Sequence, residues 1–227
     1  MIISWQELSK VLNVGLHTLL YGPPGTGKTT AAVTADSYNI TCTAEMPAAE
    51  LRGHYIPEGS KFVFHDGPAI RAWREGKRLV LNEINEASGD ALTFLYAILD
   101  DPRSARLTLP TGETVRPAPG FQAIATTNAT DFDSMLPAAL LDRFAVRVCV
   151  DEPHPDSLAR LPEPLANMVK STMELGSDRK VSLRQALAYE SLRDALQGSD
   201  LAGKAVFGSR SIDVFNSILL AIASDSK

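Results

Sequence analysis

Leu19-Leu20-Tyr21-Gly22-Pro23-Pro24-Gly25-Thr26-Gly27-Lys28-Thr29-Thr30 is the stretch on which the rest of the chain turns. An apolar run, His17 to Tyr21, reads as a strand; a Gly- and Pro-rich loop follows; a Lys-Thr pair then opens a helix. Gly22, Gly27, Lys28 and Thr29 stand at the fixed positions of the phosphate-binding pattern G-x-x-x-x-G-K-[ST]. Glycines there allow backbone angles closed to other residues, so that successive N–H groups turn toward one anion. The helix that follows aims its unpaired N–H groups and positive dipole end at the same point. Lys28 adds a full charge for the β- and γ-phosphates, and the Thr29 hydroxyl is a ligand for Mg²⁺. Strand, loop, Lys-Thr and helix in this order leave little room for an incidental Gly-Pro turn.

Working outward, Trp5, Leu8, Val11 and Leu12 lie at helical spacing, with Ser4 as N-cap and Glu7 three residues on, the pattern of a capping box. Gly15 is expected to end that helix. A helix over Thr29 to Ser37 and a strand over Asn39 to Thr43 complete a strand-loop-helix-strand unit, the opening of an α/β sheet. Pro47 to Leu51 predicts a short helix stopped by Gly53, Tyr55 to His65 a hairpin about Pro57-Glu58-Gly59-Ser60, and Ala69 to Glu75 another helix. Arg78 to Leu81 is a buried strand of a parallel sheet. A helix follows, capped by Ser88 and stopped by Pro102. Arg106 to Val115 predicts a second hairpin, Phe121 to Thr127 a buried strand, Pro137 to Leu141 a short helix and Ala145 to Val150 a last strand. Past a hinge at Glu152 to Pro155 only helical patterns remain, over Pro164–Leu175, Leu183–Gln197, Leu201–Val206 and Ser211–Ser224. The expected domains are an α/β unit over residues 1–151 and a small all-helical one over 152–227.

The 227 residues suffice for a sizeable core, and the net charge of −5 argues against sequence-independent binding of nucleic acid. No apolar run approaches the roughly 18 to 20 residues of a membrane span. The N-terminal residues lack the pattern of a secretory leader. Cys42 and Cys149, far apart in apolar runs, read as buried free thiols, which makes a cytoplasmic location the expectation. The four scattered histidines show no metal-binding spacing.

Three polar residues end apolar strands. Asn82 and Glu83 close the Arg78 strand, where Asn82 joins Thr29 as a candidate metal ligand and Glu83 is the carboxylate type needed for a general base. Asn128 closes the next strand and supplies an amide to a phosphate or a water. Arg143 ends a short helix; it either pairs with Asp142 or another carboxylate, or acts as an arginine finger on a neighbouring subunit. Arg184 either reaches back to the phosphates or is a surface arginine.

In this order GPPGTGKTT, LVLNEINEA, IATTN, LLDRF and VSLR resemble the AAA+ ATPases, and within them the MoxR-like and dynein-related branch. LRGHY…FHDGPAIRAWREGKRLVLNEIN is similar to that branch's helix-2 insert, and RLTLPTGETVRPAPGFQAIATTN to its hairpin before sensor 1. The resemblance implies a P-loop NTPase fold: a five-stranded parallel sheet of order 5-1-4-3-2 flanked by helices, with a helical lid. It implies ATP and Mg²⁺ as cofactors, a hexameric ring as the assembly, and remodelling or activation of a separate protein client. It assigns Walker A to Gly22–Thr29, Walker B to Asn82 and Glu83, sensor 1 to Asn128, the finger to Arg143 and sensor 2 to Arg184. Two departures stand out. Asn82 replaces the usual Asp, which favours weaker Mg²⁺ binding and slower turnover, and one short helix alone precedes the first strand. The alternatives are therefore a nucleotide-dependent assembly switch with little turnover, or a GTPase coupled to nucleic-acid processing.

Overall fold

The computed structural model describes residues 4–129, 136–172, 181–197 and 199–210. The chain divides into two compact units, one of residues 1–23 with 28–150 and one of residues 24–27 with 151–227.

The larger unit is built on five parallel strands: β1 (Thr18–Tyr21), β2 (Tyr38–Thr41), β5 (Arg78–Asn82), β8 (Gln122–Thr127) and β9 (Val146–Cys149). Their order across the sheet is β2-β5-β8-β1-β9. Counting sheet strands alone, this is the 5-1-4-3-2 order that the resemblance implies. The period-2 alternation of a strand explains why the apolar runs are continuous: both faces are covered. Leu19, Leu79, Leu81, Ala123 and Ala125 point into one core, with Leu51, Ile70, Trp73, Leu95, Ile98 and Phe144. Leu20, Val80, Ile124, Val148 and Val150 point into the other, against Leu8, Leu12 and Ala32. Helices α1 (Trp5–Leu12) and α2 (Lys28–Ala32) thus cover one face, and α3 (Ala48–Arg52), α4 (Pro68–Glu75) and α5 (Gly89–Ile98) the other. Each fully buried Leu or Ile contributes on the order of 1.5 to 3 kcal/mol.

Local chemistry sets most boundaries. Ser4 and Glu7 form the expected capping box at α1, which ends at Leu12, before Gly15. Helix α2 is shorter than its sequence suggests. Ser37 Oγ accepts from Thr34 N–H and donates to Thr34 C=O, so a serine-closed turn replaces the last helical turns. Strand β2 stops at Thr41 because its partner stops at Asn82. Ser88 caps α5 by accepting from Ala91 N–H. That helix ends at Ile98, ahead of Pro102, because Asp101 N–H turns to Asp100 Oδ1 and Ala105 N–H to Asp101 C=O.

Both expected hairpins form, as β3 (Gly53–Glu58) with β4 (Lys61–Asp66) and β6 (Leu107–Thr108) with β7 (Thr114–Val115). Arg74 on α4 fastens both: its Nε reaches Asp66 at 2.6 Å, and its Nη1 and Nη2 hold Glu113 at 2.7 Å each.

A short helix (Pro155–Leu158) begins at the last residue of the expected Glu152–Pro155 hinge, with His154 Nδ1 accepting from Asp156 N–H. Among the described residues, the longer helices of the smaller unit are Glu163–Ser171, Leu183–Leu196 and Ser199–Phe207. Leu165, Met168, Val169, Leu183, Ala186, Tyr189 and Phe207 make their core. The helix expected over Ser211–Ser224 lies outside the described residues. Neither cysteine is in a disulfide; Cys42 is buried and Cys149 only half-buried.

Candidate functional site

Because the five strands run parallel, the residues that end them gather along one sheet edge. Tyr21 ends β1 and leads into the glycine-rich loop, Asn82 ends β5, and Thr126, Thr127 and Asn128 end or follow β8. Glycine at position 22 is obligatory on two counts. Its φ is 135°, and a Cβ there would lie 2.5 Å from the carbonyl oxygen of Val150, the residue just after β9. Gly25 and Gly27 also take positive φ, as an inward-turned loop needs.

Lys28 is buried with its ammonium surrounded by oxygen. It donates to Gly22 C=O at 2.9 Å, Pro23 C=O at 2.7 Å and Asn128 Oδ1 at 2.9 Å. Asn128 in turn donates through Nδ2 to Glu83 Oε1 at 2.6 Å. One line of bonds therefore runs from the loop lysine through the amide to the carboxylate. Beside it, Thr29 Oγ1 donates to Asn82 Oδ1 at 2.9 Å, and Thr126 Oγ1 lies 3.4 Å from the same oxygen and accepts from Glu83 N–H at 3.4 Å. Glu83 itself has φ 52° and ψ 49°, a left-handed backbone that is uncommon for a non-glycine residue. Cys42 lies near this carboxylate; burial first, and then the Glu83 charge, push its thiol up to about 12, so it stays protonated.

The other positions fall elsewhere. Arg143 precedes β9, where Gly15, Leu16 and His17 precede β1, so it sits at the opposite edge of the sheet, about 13 Å away along a four-residue strand. It borders a cleft of about 290 Å³ with Asp100, Asp101 and Asp142. Its grip there is loose: Nη1 to Ala139 C=O at 3.4 Å, Nε 3.8 Å from Asp100 Oδ1, and the guanidinium 6.0 Å from the Tyr96 ring centre. Of the carboxylates offered as its alternative partner, Asp142 or another nearby, the one within ion-pair reach is Asp100. Arg184 is exposed in the smaller unit, which also holds residues 24–27. Two residues before it, Ser182 caps the Leu183–Leu196 helix and lies 3.4 Å from where a Cβ on Gly25 would be. Thr30 is exposed on α2.

Thr126, Thr127 and Asn85 escaped the sequence reading as site residues. The polar run Thr126-Thr127-Asn128 closing a buried strand was a visible signal; which residues it would meet, more than 40 positions away, was not.

The oxygens of Thr29 and Asn82, lying side by side, fit a hard cation that keeps waters and phosphate oxygens as its other ligands, which is how Mg²⁺ is usually held. The arrangement as a whole can cradle a polyphosphate, hold a divalent cation beside it and place a carboxylate on the far side.

A family description, AAA domain (dynein-related subfamily), matches residues 17–144. An uncharacterised protein of Staphylococcus haemolyticus is 36% identical over 156 residues, which cover 63% of this chain and 58% of that protein. NorQ of Paracoccus denitrificans is 38% identical over 119 residues, 50% of this chain and 44% of NorQ. The chain thus spans about half the length of these relatives. Among solved structures, a RuvB variant of Thermotoga maritima superposes with a TM-score of 0.55 at 15% identity, over 95% of this chain and 71% of that one. At that identity the likeness speaks for the fold alone.

Proposed function

This chain belongs to the dynein-related subfamily of AAA domains, and on that footing we propose that it binds ATP with Mg²⁺ and hydrolyses it in a ring of identical subunits. The work of that ring, in this reading, is to remodel or activate a separate protein client in the cytoplasm. The observation that carries the proposal is the continuous line Lys28–Asn128–Glu83 at the end of three adjacent strands.

In this reading the glycine loop and the α2 N-terminus bind the phosphates, and Lys28 exchanges a loop carbonyl for a phosphate oxygen. Thr29 and Asn82 would hold Mg²⁺, which would supply positive charge to offset the charge developing on the phosphates. Glu83 takes a proton from the water that attacks the γ-phosphorus, as ADP leaves. Asn128 touches both Lys28 and Glu83 and keeps the two at a fixed separation. Arg184, carried by the unit that holds residues 24–27, is a second cation for the phosphates. Arg143 lies at the far edge and cannot serve its own nucleotide. Its loose local grip supports a role in trans, on the nucleotide of the next copy. Specific ATPase activity should therefore rise with protein concentration as copies assemble. A flat profile, with full activity in dilute monomer, would overturn the ring.

One observation favours a second reading, a switch that binds ATP and turns it over slowly. The Thr29–Asn82 pair carries no charge, and an ionised partner at about 4 Å is worth roughly 4 kcal/mol at an effective dielectric near 20 before solvation offsets it. Asn82→Asp separates the two: a large gain over a nearly silent parent supports the switch, and brisk turnover in the parent excludes it.

A further inference from the structure

We propose that the Thr127–Asn85 hydrogen bond is a positioning device for Glu83, with neither residue touching substrate; the inference rests on Glu83 being the base. Three consecutive residues at the end of β8 each hold a different part of the chain that leaves β5. Thr126 Oγ1 takes Glu83 N–H, Thr127 Oγ1 donates to Asn85 Oδ1 at 2.6 Å, and Asn128 Nδ2 donates to the Glu83 carboxylate. Between them the chain reverses in a 3₁₀ turn over Ile84–Glu86, closed by Glu86 N–H to Glu83 C=O at 2.8 Å.

Glu83 is suspended at the one left-handed step of this turn. A non-glycine residue persists in that conformation only where its surroundings over-determine it. On its N-terminal side, Asn82 is fixed by pairing with β2. On its C-terminal side, Ile84 is fully buried, and Asn85 is the next residue able to anchor the turn to the sheet. The anchor it finds is Thr127, itself fully buried, through a bond of 2.6 Å, as short as the Asn128–Glu83 bond and well inside the 3.4 Å Thr126 contact. Without it, the hydrogen bonds described between this segment and β8 would both end on Glu83: the long Thr126 contact, and the Asn128 bond, which the reaction itself must disturb. A carboxylate has to lie within hydrogen-bond reach of the proton it takes, so a small rotation about position 83 costs rate without weakening nucleotide binding.

The test compares Thr127→Val, Asn85→Ala, their double variant and Thr127→Ser in one assay, with Glu83→Gln as reference. Thr127→Val and Asn85→Ala should each lower kcat about tenfold, equivalent to about 1.4 kcal/mol. KM and the affinity for a fluorescent ATP analogue should stay within about twofold, because uniform binding is untouched. The double variant should be no slower than either single one, as expected for two ends of one bond. Thr127→Ser, which keeps the hydroxyl, should restore most of the rate. Thr127→Val also removes the acceptor for Ala129 N–H, so Asn85→Ala, which leaves that bond alone, is the independent variant if the first fails to fold. Wild-type kcat in both single variants, multiplying losses in the double, or a parallel fall in nucleotide affinity each overturns the inference. Wild-type kcat in Glu83→Gln overturns the underlying reading as well. A silent Glu83→Gln beside a normal Thr127→Val and a normal Asn85→Ala overturns the positioning role alone.

Discussion

The two edges of the central sheet are both polar, and they are wired differently. At the edge where strands begin, Arg78 donates to Gln122 Oε1, Ala32 C=O and Leu12 C=O, and Gln122 Nε2 donates to Leu12 C=O and Leu16 C=O. His17 Nδ1 accepts from Ala123 N–H. These side chains end mainly on backbone groups, and so they stand in for secondary structure where α1, α2 and the strands meet. At the edge where strands finish, Thr29 meets Asn82, Thr127 meets Asn85, and Asn128 bridges Glu83 and Lys28, side chain to side chain, with two loop carbonyls completing the shell of Lys28. Bonds between side chains can be exchanged for bonds to a ligand without unravelling a helix or strand. The difference separates a staple from a site. Arg143 is the exception that gives the assembly proposal its weight: it lies at the staple edge, yet is held no closer than 3.4 Å by the groups around it.

The comparison can be broken in several places. Its largest consequence concerns Arg143. If that cation serves a neighbouring copy, Arg143→Ala should lower kcat by about 10³ to 10⁵ while thermal stability changes little. A loss of stability with normal kcat per folded molecule would return Arg143 to the staple. Next comes Glu83→Gln, expected to lower kcat by about 10² to 10⁴ with nucleotide affinity retained, read by steady-state turnover beside equilibrium binding.

The staple edge should answer to pH in stability. Burial holds the His17 imidazole down at about 4 against an ordinary 6.5. The unfolded chain therefore takes up this proton before the folded one does. The contribution is complete above pH 6.5 and is lost as pH falls toward 4, amounting to about 3 kcal/mol. Chemical denaturation at pH 7 and pH 4.5 should show this slope in the parent and a shallower one in His17→Gln. The smallest expected effect is a gain of a few fold in kcat for Asn82→Asp, if the parent already turns over.

Much of this was legible along the chain. The central sheet strands β1, β5 and β8 show as apolar runs, the loop as a motif, and the α1 cap as Ser4 with Glu7. The order of the strands was carried by resemblance, since nothing in the local pattern says that β1 lies between β8 and β9. The sequence reading also located the strand-end residues Asn82, Glu83 and Asn128, which the fold brings together with Lys28 and Thr29. What it did not expose is whatever depends on a partner far away. Arg78 reads simply as the start of a strand, and its three acceptors lie 44 to 66 residues distant. The left-handed step at Glu83 has no signature either, because glutamate carries no preference for it. The early end of α2 was visible only in retrospect, in a serine three residues beyond a threonine.

The most direct test of the account mixes two variants. Glu83→Gln lacks the base but keeps the finger, and Arg143→Ala lacks the finger but keeps the base. Each alone should be nearly silent. Mixed, they should recover ATPase activity, since an intact base on one copy meets an intact arginine on the next. A mixture that stays silent, although both variants bind nucleotide and co-assemble, would contradict the claim that the two edges of neighbouring copies make one site.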